Sequence, residues 1–142
     1  GQAFEIWEVD AATGEKRKLT DAAVTPLNIL NGDWRVSPDG RTLASVANRT
    51  VQLRDAQTGE LQRTLIGHTH WVRSIAYSAD GTRIITGSAD HTVRLWNPRI
   101  DQEVALLTNH QQWVFQVAFA DHGHALVSSD GDGVVKLWRS AP

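Results

Sequence analysis

Three side chains in the stretch from Gly67 to Trp96 have the types that nucleophilic catalysis needs. They are His68, Thr86 and Asp90, and a base, a hydroxyl nucleophile and an acid that orients the base are the parts of a hydrolase triad. An enzyme would need this set once, with hydrogen-bond donors nearby for an oxyanion. The sequence around these residues contains no oxyanion loop and no phosphate-binding loop.

The same set of residue types recurs at a fixed spacing. Three pairs of markers are each 42 residues apart: His68 and His110, Trp71 and Trp113, and Trp96 and Trp138. Ser128 and Asp132 likewise follow Thr86 and Asp90 by 42 residues. A packing device recurs in every repeat, whereas an active site need occur only once. We therefore predict a structural role for these residues, no catalytic residue and no enzyme activity.

Two other groups of residues are weak candidates for metal sites. Residues 130–133, Asp-Gly-Asp-Gly, look like the start of a calcium loop, but the Glu that should close such a loop is missing. His68 and His70, and then His122 and His124, are pairs of alternate histidines. Two ligands without a third do not make a zinc site. We predict no metal and no cofactor.

Composition narrows the classes of partner. The 142 residues are 41% hydrophobic and 21% charged, which is typical of one soluble folded domain rather than a disordered segment. A net charge of −2 is too small to attract nucleic acid or an anionic membrane by bulk electrostatics. Without cysteine, disulfides and thiolate chemistry are excluded. No apolar run is long enough to span a membrane, so we expect a cytoplasmic location.

The spacing divides the chain into one partial and three larger repeats. Residues 1–20 are expected to be the tail of a preceding repeat, because Thr-Gly-Glu at 13–15 matches Thr-Gly-Glu at 58–60. Residues 21–65 form a degenerate repeat, residues 66–107 a well-formed one, and residues 108–139 a last repeat that lacks its outer strand. A leading half-repeat and the absence of Met favour a segment cut from a longer protein.

Each repeat has the pattern of a four-stranded antiparallel sheet. Short apolar runs at 73–78, 83–87 and 92–96 are separated by Asp-Gly and Ser-Ala-Asp turns. Both faces of the inner runs are apolar or small, so we expect sheets that are covered on both sides. The fourth run, at 60–65 and 103–107, carries charges that suit an exposed edge. The prediction is an all-β chain with two, four, four and three strands in radially stacked sheets.

This pattern resembles the WD40 repeat family of β-propellers, whose repeats carry Gly-His near the start and Trp-Asp near the end. The likeness covers Leu19 to Trp138, although Asn97 and Arg139 replace the Asp after Trp. It implies about three four-stranded blades and a hydrogen-bonded tetrad in each well-formed blade. These tetrads would be His68, Thr86, Asp90 and Trp96, and then His110, Ser128, Asp132 and Trp138. The degenerate repeat has Leu27, Ala44, Asn48 and Arg54 there, so its tetrad is lost.

The resemblance also places a binding surface on the top rim of the propeller. The matching rim positions are Trp71, Arg73 and Ala89, then Trp113, Phe115 and Gly131, and in the degenerate repeat Leu30, Gly32 and Ala47. Trp, Phe and Arg are enriched at interaction hot spots, although the two Trp could instead pack between blades. We hypothesise a non-catalytic scaffold that binds a protein or peptide. The alternative is a regulatory propeller segment of a larger signalling protein whose catalytic domain lies elsewhere.

Three blades leave the propeller ring open, because rings typically have about four to eight blades. The apolar faces of the end sheets would then lie exposed, over a larger area than monomers tolerate. Self-association follows as an expectation, with two or three chains closing a ring. The other possibility is that the remaining blades of a longer propeller cover these faces.

Overall fold

Four antiparallel sheets make up the chain in a computed structural model that describes residues 6–9, 12–19 and 33–139. Sheet 1 has two strands, β1 (Ile6–Val9) and β2 (Lys16–Leu19). Sheet 2 consists of β3 (Trp34–Val36), β4 (Thr42–Ala47), β5 (Thr50–Asp55) and β6 (Leu61–Leu65). Sheet 3 consists of β7 (Val72–Tyr77), β8 (Ile84–Ser88), β9 (Val93–Asn97) and β10 (Gln102–Leu107). Sheet 4 consists of β11 (Val114–Ala120), β12 (Ala125–Asp130) and β13 (Val135–Arg139), with a short 3₁₀ turn at Asp121–Gly123.

The fold class and the strand count expected from the repeat spacing are confirmed in these described residues. Neighbouring strands along the chain pair with each other within every sheet, so each sheet is a simple meander. The sheets do not close into a ring over the part of the chain that is described. Sheet 4 ends at β13, one strand short of sheets 2 and 3.

A repeated turn sets the first hairpin of sheets 2 and 3. The Ser78 hydroxyl donates to the Asp80 carboxylate at 2.8 Å, and the N–H of Gly81 donates to the Ser78 carbonyl at 2.9 Å. Gly81 has a φ of 72°, a left-handed conformation that glycine adopts without strain. Hydrogen bonds from Thr82 and Ser78 lower the pKa of Asp80 to about 2. The ionised carboxylate therefore fixes the turn at any ordinary pH.

The hydrophobic core lies between sheets rather than inside any one of them. One cluster joins sheets 2 and 3 and contains Ala44, Val46, Val51, Leu53, Leu65, Val72, Ile75, Ile84 and Trp96. A second cluster joins sheets 3 and 4 and contains Ile85, Val93, Val114 and Val117. Sheet 3 therefore packs one face against sheet 2 and the other against sheet 4, as the apolar and small residues on both of its faces predict.

A polar contact also recurs between successive sheets. The N–H of Ile75 donates to the Asp33 carboxylate at 3.1 Å, and the N–H of Val117 donates to the Ser74 hydroxyl at 3.2 Å. The two donors are 42 residues apart, so the bond belongs to the repeat. These bonds tie β7 to sheet 2 and β11 to sheet 3, and so fix how the sheets stack.

In the degenerate repeat, the residue at the place of the tetrad hydroxyl differs from the one that the spacing predicts. The 42-residue spacing predicts Ala44 at the position of Thr86. Ser45 takes that position instead, because Ser45 pairs with Gln52 as Thr86 pairs with Arg94. Ala44 lies fully buried in the core between sheets. The fixed spacing fails because two residues, Asn48 and Arg49, join β4 to β5, whereas four residues join β8 to β9. Leu27, Leu30 and Gly32 lie outside the described residues.

Candidate functional site

The four residues named for the first tetrad lie together in sheet 3. Nδ1 of His68 is 2.7 Å from the Asp90 carboxylate, and its Nε2 is 2.6 Å from the Thr86 hydroxyl. The indole N–H of Trp96 donates to the same hydroxyl oxygen at 2.9 Å. Because a carboxylate only accepts, a neutral His68 donates from Nδ1 and accepts the Thr86 proton at Nε2. The four side chains thus form one continuous series of hydrogen bonds, from Asp90 through His68 and Thr86 to Trp96.

The second tetrad differs from the prediction in its acid. Nδ1 of His110 is 2.7 Å from the carboxylate of Asp130, Nε2 is 2.6 Å from the Ser128 hydroxyl, and Trp138 donates to that hydroxyl at 2.8 Å. The prediction of Asp132 was wrong. Asp132 is exposed and contributes its backbone N–H, which donates to the Asp130 carboxylate at 3.0 Å.

The reason lies in the turn between the second and third strands of each sheet. In sheet 3, the Ser88 hydroxyl accepts the N–H of Asp90, and the Asp90 carboxylate accepts the N–H of Thr92. In sheet 4, one side chain does both, because Oδ1 of Asp130 accepts the N–H groups of Asp132 and Val134. Asp130 stands 42 residues after Ser88. A carboxylate at the serine position therefore replaces two side chains and moves the tetrad acid back by two residues.

The hydroxyls of both tetrads are sealed from solvent. Thr86 is 0% exposed and Ser128 is 1% exposed, so neither hydroxyl can meet a substrate carbonyl. Burial acts to raise the pKa of Asp90, but hydrogen bonds from His68, from Thr92 and from the Thr69 N–H outweigh it and hold this pKa below its usual value. The His110 hydrogen bond likewise lowers the pKa of Asp130 against the opposing effect of burial. These carboxylates act as permanent acceptors within the fold.

Exposed aromatic rings of sheets 3 and 4 form a cluster at the edge where β7 and β11 begin, which we call the rim. Trp71 is 47% exposed, Trp113 38% and Phe115 40%. Trp71 and Trp113 meet edge to face with their centroids 6.4 Å apart, and Trp113 and Phe115 are also 6.4 Å apart. The guanidinium of Arg73 lies 5.5 Å from the Trp113 centroid and 5.1 Å from that of Phe115. Cation–π attraction therefore joins the two sheets at the rim.

The remaining two predicted rim residues of sheets 3 and 4 play different parts. Ala89 donates its N–H to the Trp71 carbonyl at 2.8 Å and is only 3% exposed, so the prediction that it contacts a partner was wrong. Gly131 makes the equivalent bond to the Trp113 carbonyl at 3.1 Å and is exposed. A β-carbon on Gly131 would lie 3.0 Å from the Phe115 ring. The glycine is thus what lets Phe115 lie against this turn.

Two further rim residues, His70 and Arg49, do not lie at the rim positions that the repeat predicts. The His70 ring lies 4.9 Å from Trp71 and 5.9 Å from Trp113, and its Nδ1 accepts the N–H of Trp71 at 2.8 Å. His70, Trp71, Arg49, Asn48 and Thr69 line a groove of about 240 Å³ between sheets 2 and 3. Arg49 sits in the shortened turn of the degenerate repeat. Arg49 matches none of the residues that recur in the repeats. Its positive charge, in a turn beside the rim, is the one feature of the sequence that could have indicated a role in binding.

A larger cleft of about 320 Å³ opens at the opposite edge of sheets 2 and 3. Tyr77 lines it, and burial together with the charge of Asp39 raises the pKa of the phenol to about 12. The carboxylates of Asp39 and Asp80 are already held by Ser37 and Ser78. The phenol is therefore protonated, and both carboxylates are engaged in the hydrogen bonds of their own turns.

The described residues contain neither a cluster of metal ligands nor a membrane-spanning helix. Within them, no three His, Cys, Asp or Glu side chains come together in a way that could hold a metal ion. Over the same residues, no helix is long and apolar enough to cross a bilayer.

Comparison with known proteins gives a consistent result. The family model described as WD domain, G-beta repeat matches residues 59–97 and 101–139. Over 56 residues, covering 39% of this chain, the sequence is 39% identical to an uncharacterized WD repeat-containing protein, sll1491, of Synechocystis sp.. Over 61 residues, covering 42% of this chain, it is 43% identical to nuclear distribution protein PAC1 of Coprinopsis cinerea. The matched segments span 16% and 14% of the lengths of these relatives.

Proposed function

Because this chain belongs to the WD40 repeat family, whose model matches more than half of it, we propose that it is a non-catalytic scaffold that binds a protein or peptide through the rim. The observation that carries the proposal is the exposed cluster of Trp71, Trp113 and Phe115 around Arg73. Trp and Arg dominate the binding energy of protein interfaces when they cluster. Large apolar side chains left in contact with solvent at one edge are otherwise a cost in solubility.

The buried tetrads support the proposal by holding the rim rigid. His68 and His110 lie three residues before Trp71 and Trp113 respectively, so each histidine anchors the segment that carries a rim aromatic. The Ser88 hydroxyl adds hydrogen bonds to the carbonyls of His70 and Trp71, at 3.1 and 2.9 Å. A surface that is already ordered loses little entropy on binding. The repeated polar network thus serves recognition indirectly.

Selection from a random dodecapeptide display library tests the rim proposal. Peptides selected on the wild-type chain should bind the Trp71→Ala and Phe115→Ala variants at least about tenfold more weakly, the loss that an aromatic hot spot typically causes. Ile66→Ala is the matched control, because Ile66 is an exposed apolar residue outside the cluster. Equal affinity of the wild type and the rim variants, or a loss confined to the control, would reject the proposal.

We also propose that the outer face of sheet 4 associates with a further propeller sheet, from a second copy or from a longer chain. Ile85, Val93 and Leu95 of sheet 3 pack against sheet 4. Their counterparts 42 residues on are Val127, Val135 and Leu137, of which Val135 is 66% and Leu137 56% exposed. The same apolar pattern that is buried in one sheet is therefore open in the next. A heterologous contact of this kind closes a ring if the rotation per sheet permits.

Light scattering with a charge substitution tests this association. Val135→Lys should reduce the mass in solution, because a lysine in that face would have to be buried without a partner. Val104→Lys, on the exposed edge strand β10, is the control and should leave the mass unchanged. A wild-type chain that is monomeric at the highest attainable concentration contradicts association between copies.

A further inference from the structure

The groove between sheets 2 and 3 at the rim carries positive charge that no group of the described residues neutralises. Within the described residues, Arg49 makes no ion pair or hydrogen bond, and Arg73 touches aromatic rings but no acceptor. The chain as a whole has a net charge of −2. The rim is thus positively charged, whereas the chain as a whole has a negative net charge.

The carboxylates near the groove are already engaged. Asp90 lies behind Thr69, where it accepts bonds from His68, from the Thr69 N–H and from Thr92. Asp33, at the start of β3, accepts from Ile75 and Arg35. Asp132 is exposed, but it lies on the turn of sheet 4, two sheets away from Arg49. No acid of the described residues is therefore left to pair with Arg49 in the groove.

His70 also lines this groove and adds a hydrogen-bond donor to it. Its Nδ1 accepts the N–H of Trp71 at 2.8 Å, so in the neutral ring the proton sits on Nε2. The backbone on both sides is fixed, because the N–H of Val72 donates to the Asn48 carbonyl at 2.9 Å and so ties the Arg49 turn to sheet 3. A guanidinium and an imidazole N–H at one groove provide charge-assisted hydrogen bonds to a carboxylate.

We infer that the rim ligand is an acidic peptide, with a carboxylate in the groove between Arg49 and His70 and an apolar side chain against Trp71 and Trp113. This inference rests on the proposed rim function and specifies its ligand. The aromatic rings supply apolar contact. Arg49 sets the preference for a negatively charged ligand and fixes the position of the peptide along the groove. Arg73, placed over Phe115 and Trp113, extends the positive field toward sheet 4 and favours a second acid along the peptide.

Single-stranded nucleic acid is the other polyanion that aromatic rings and arginine can bind. The rim favours a peptide because nucleic-acid grooves track many phosphates with a continuous row of cations, whereas here two arginines stand apart. The overall charge of −2 also opposes a polyanion at long range. A thymidine oligonucleotide is therefore included as a probe.

The test uses the peptides selected by display on the intact chain. Acidic residues should be enriched among them, and replacing Asp and Glu of a selected peptide by Asn and Gln should weaken its binding about tenfold. Arg49→Ala should weaken the acidic peptide about fivefold and leave the amide version unaffected. Arg99→Ala is the matched control, because Arg99 is an exposed arginine at the opposite edge, lining the larger cleft.

The outcomes separate this inference from the function on which it rests. If peptides need Trp71 and Phe115 but bind equally well as acids and amides, the rim function stands and the acidic ligand is wrong. If neither the aromatic nor the arginine variants change binding, both are wrong. An oligonucleotide that binds the wild type more tightly than the acidic peptide, with loss in Arg49→Ala, would also overturn the peptide assignment.

Discussion

The carboxylate of Asp130 lies 2.7 Å from Nδ1 of His110, although Asp132 stands at the position that the repeat spacing selects. The contact is buried, and the same carboxylate accepts two backbone N–H groups of its own turn. One acid thus closes the turn and orients the histidine of the tetrad in sheet 4.

Substitution of the two acids should separate their roles. Asp130→Asn replaces a charged acceptor by an amide in a buried network, so we expect the melting temperature to fall by several degrees. Asp132→Asn should leave it nearly unchanged, because only the backbone of Asp132 takes part. Thermal unfolding followed by circular dichroism measures both, and equal losses would show that the assignment of the tetrad acid is wrong.

Acid should destabilise the chain through the tetrad carboxylates. The folded-state pKa values of Asp90 and Asp130 lie below the ordinary 3.8. Their stabilisation is therefore complete above that value and is lost as the pH falls through the folded-state values. Urea unfolding between about pH 6 and about pH 2.5 should show a falling free energy of unfolding below about pH 4. The Asp90→Asn variant should show a shallower fall, and an unchanged slope would contradict the account.

The contact between sheets 3 and 4 depends on the absence of a side chain at Gly87. A β-carbon there would lie 2.6 Å from Cγ1 of Val114 and 2.9 Å from Cγ1 of Val117. Gly87→Ala should therefore cost about 1–3 kcal/mol of unfolding free energy through overpacking. Adding Val114→Ala should cost less than the two single changes together, because the smaller side chain relieves the clash. Simple additivity in denaturant unfolding would exclude a direct contact.

Gly131 should control the rim without touching the ligand. Gly131→Ala places a methyl group 3.0 Å from the Phe115 ring and should displace it, which weakens binding of a selected peptide by about threefold to tenfold. In a chain that already carries Phe115→Ala, the same change should have no further effect. A full additional loss in that background would mean that Gly131 meets the peptide itself.

The sequence predicts the sheets better than it predicts the site, because stacked repeats reuse one apolar pattern. The 42-residue spacing aligns the strands of sheet 4 with those of sheet 3. His68 and His110, and likewise Trp96 and Trp138, must occupy the same place in each sheet. The spacing fails where a turn changes length or chemistry. Asp130 at the place of Ser88 shifts the tetrad acid, and the short turn at Asn48 and Arg49 shifts the register of β4.

Burial at the rim is harder to predict, because it depends on neighbouring sheets. Ala89 and Gly131 occupy equivalent positions with equivalent backbone bonds, yet only Gly131 is exposed. The sequence also gives no reason to place Arg49 and His70 in one groove. Their proximity arises from the hydrogen bond between Val72 and Asn48, which brings the degenerate repeat against sheet 3.

Photo-crosslinking of a selected peptide that carries one benzophenone group tests the central claim most directly, because it records where the ligand lies. Mass spectrometry of the digested adduct should place the crosslinks on the segment from Thr69 to Arg73 and the segment from Trp113 to Phe115. Excess unlabelled peptide should abolish them. Crosslinks concentrated on β13 or on the edge strands β6 and β10, with the rim segments unmodified, would contradict recognition through the rim.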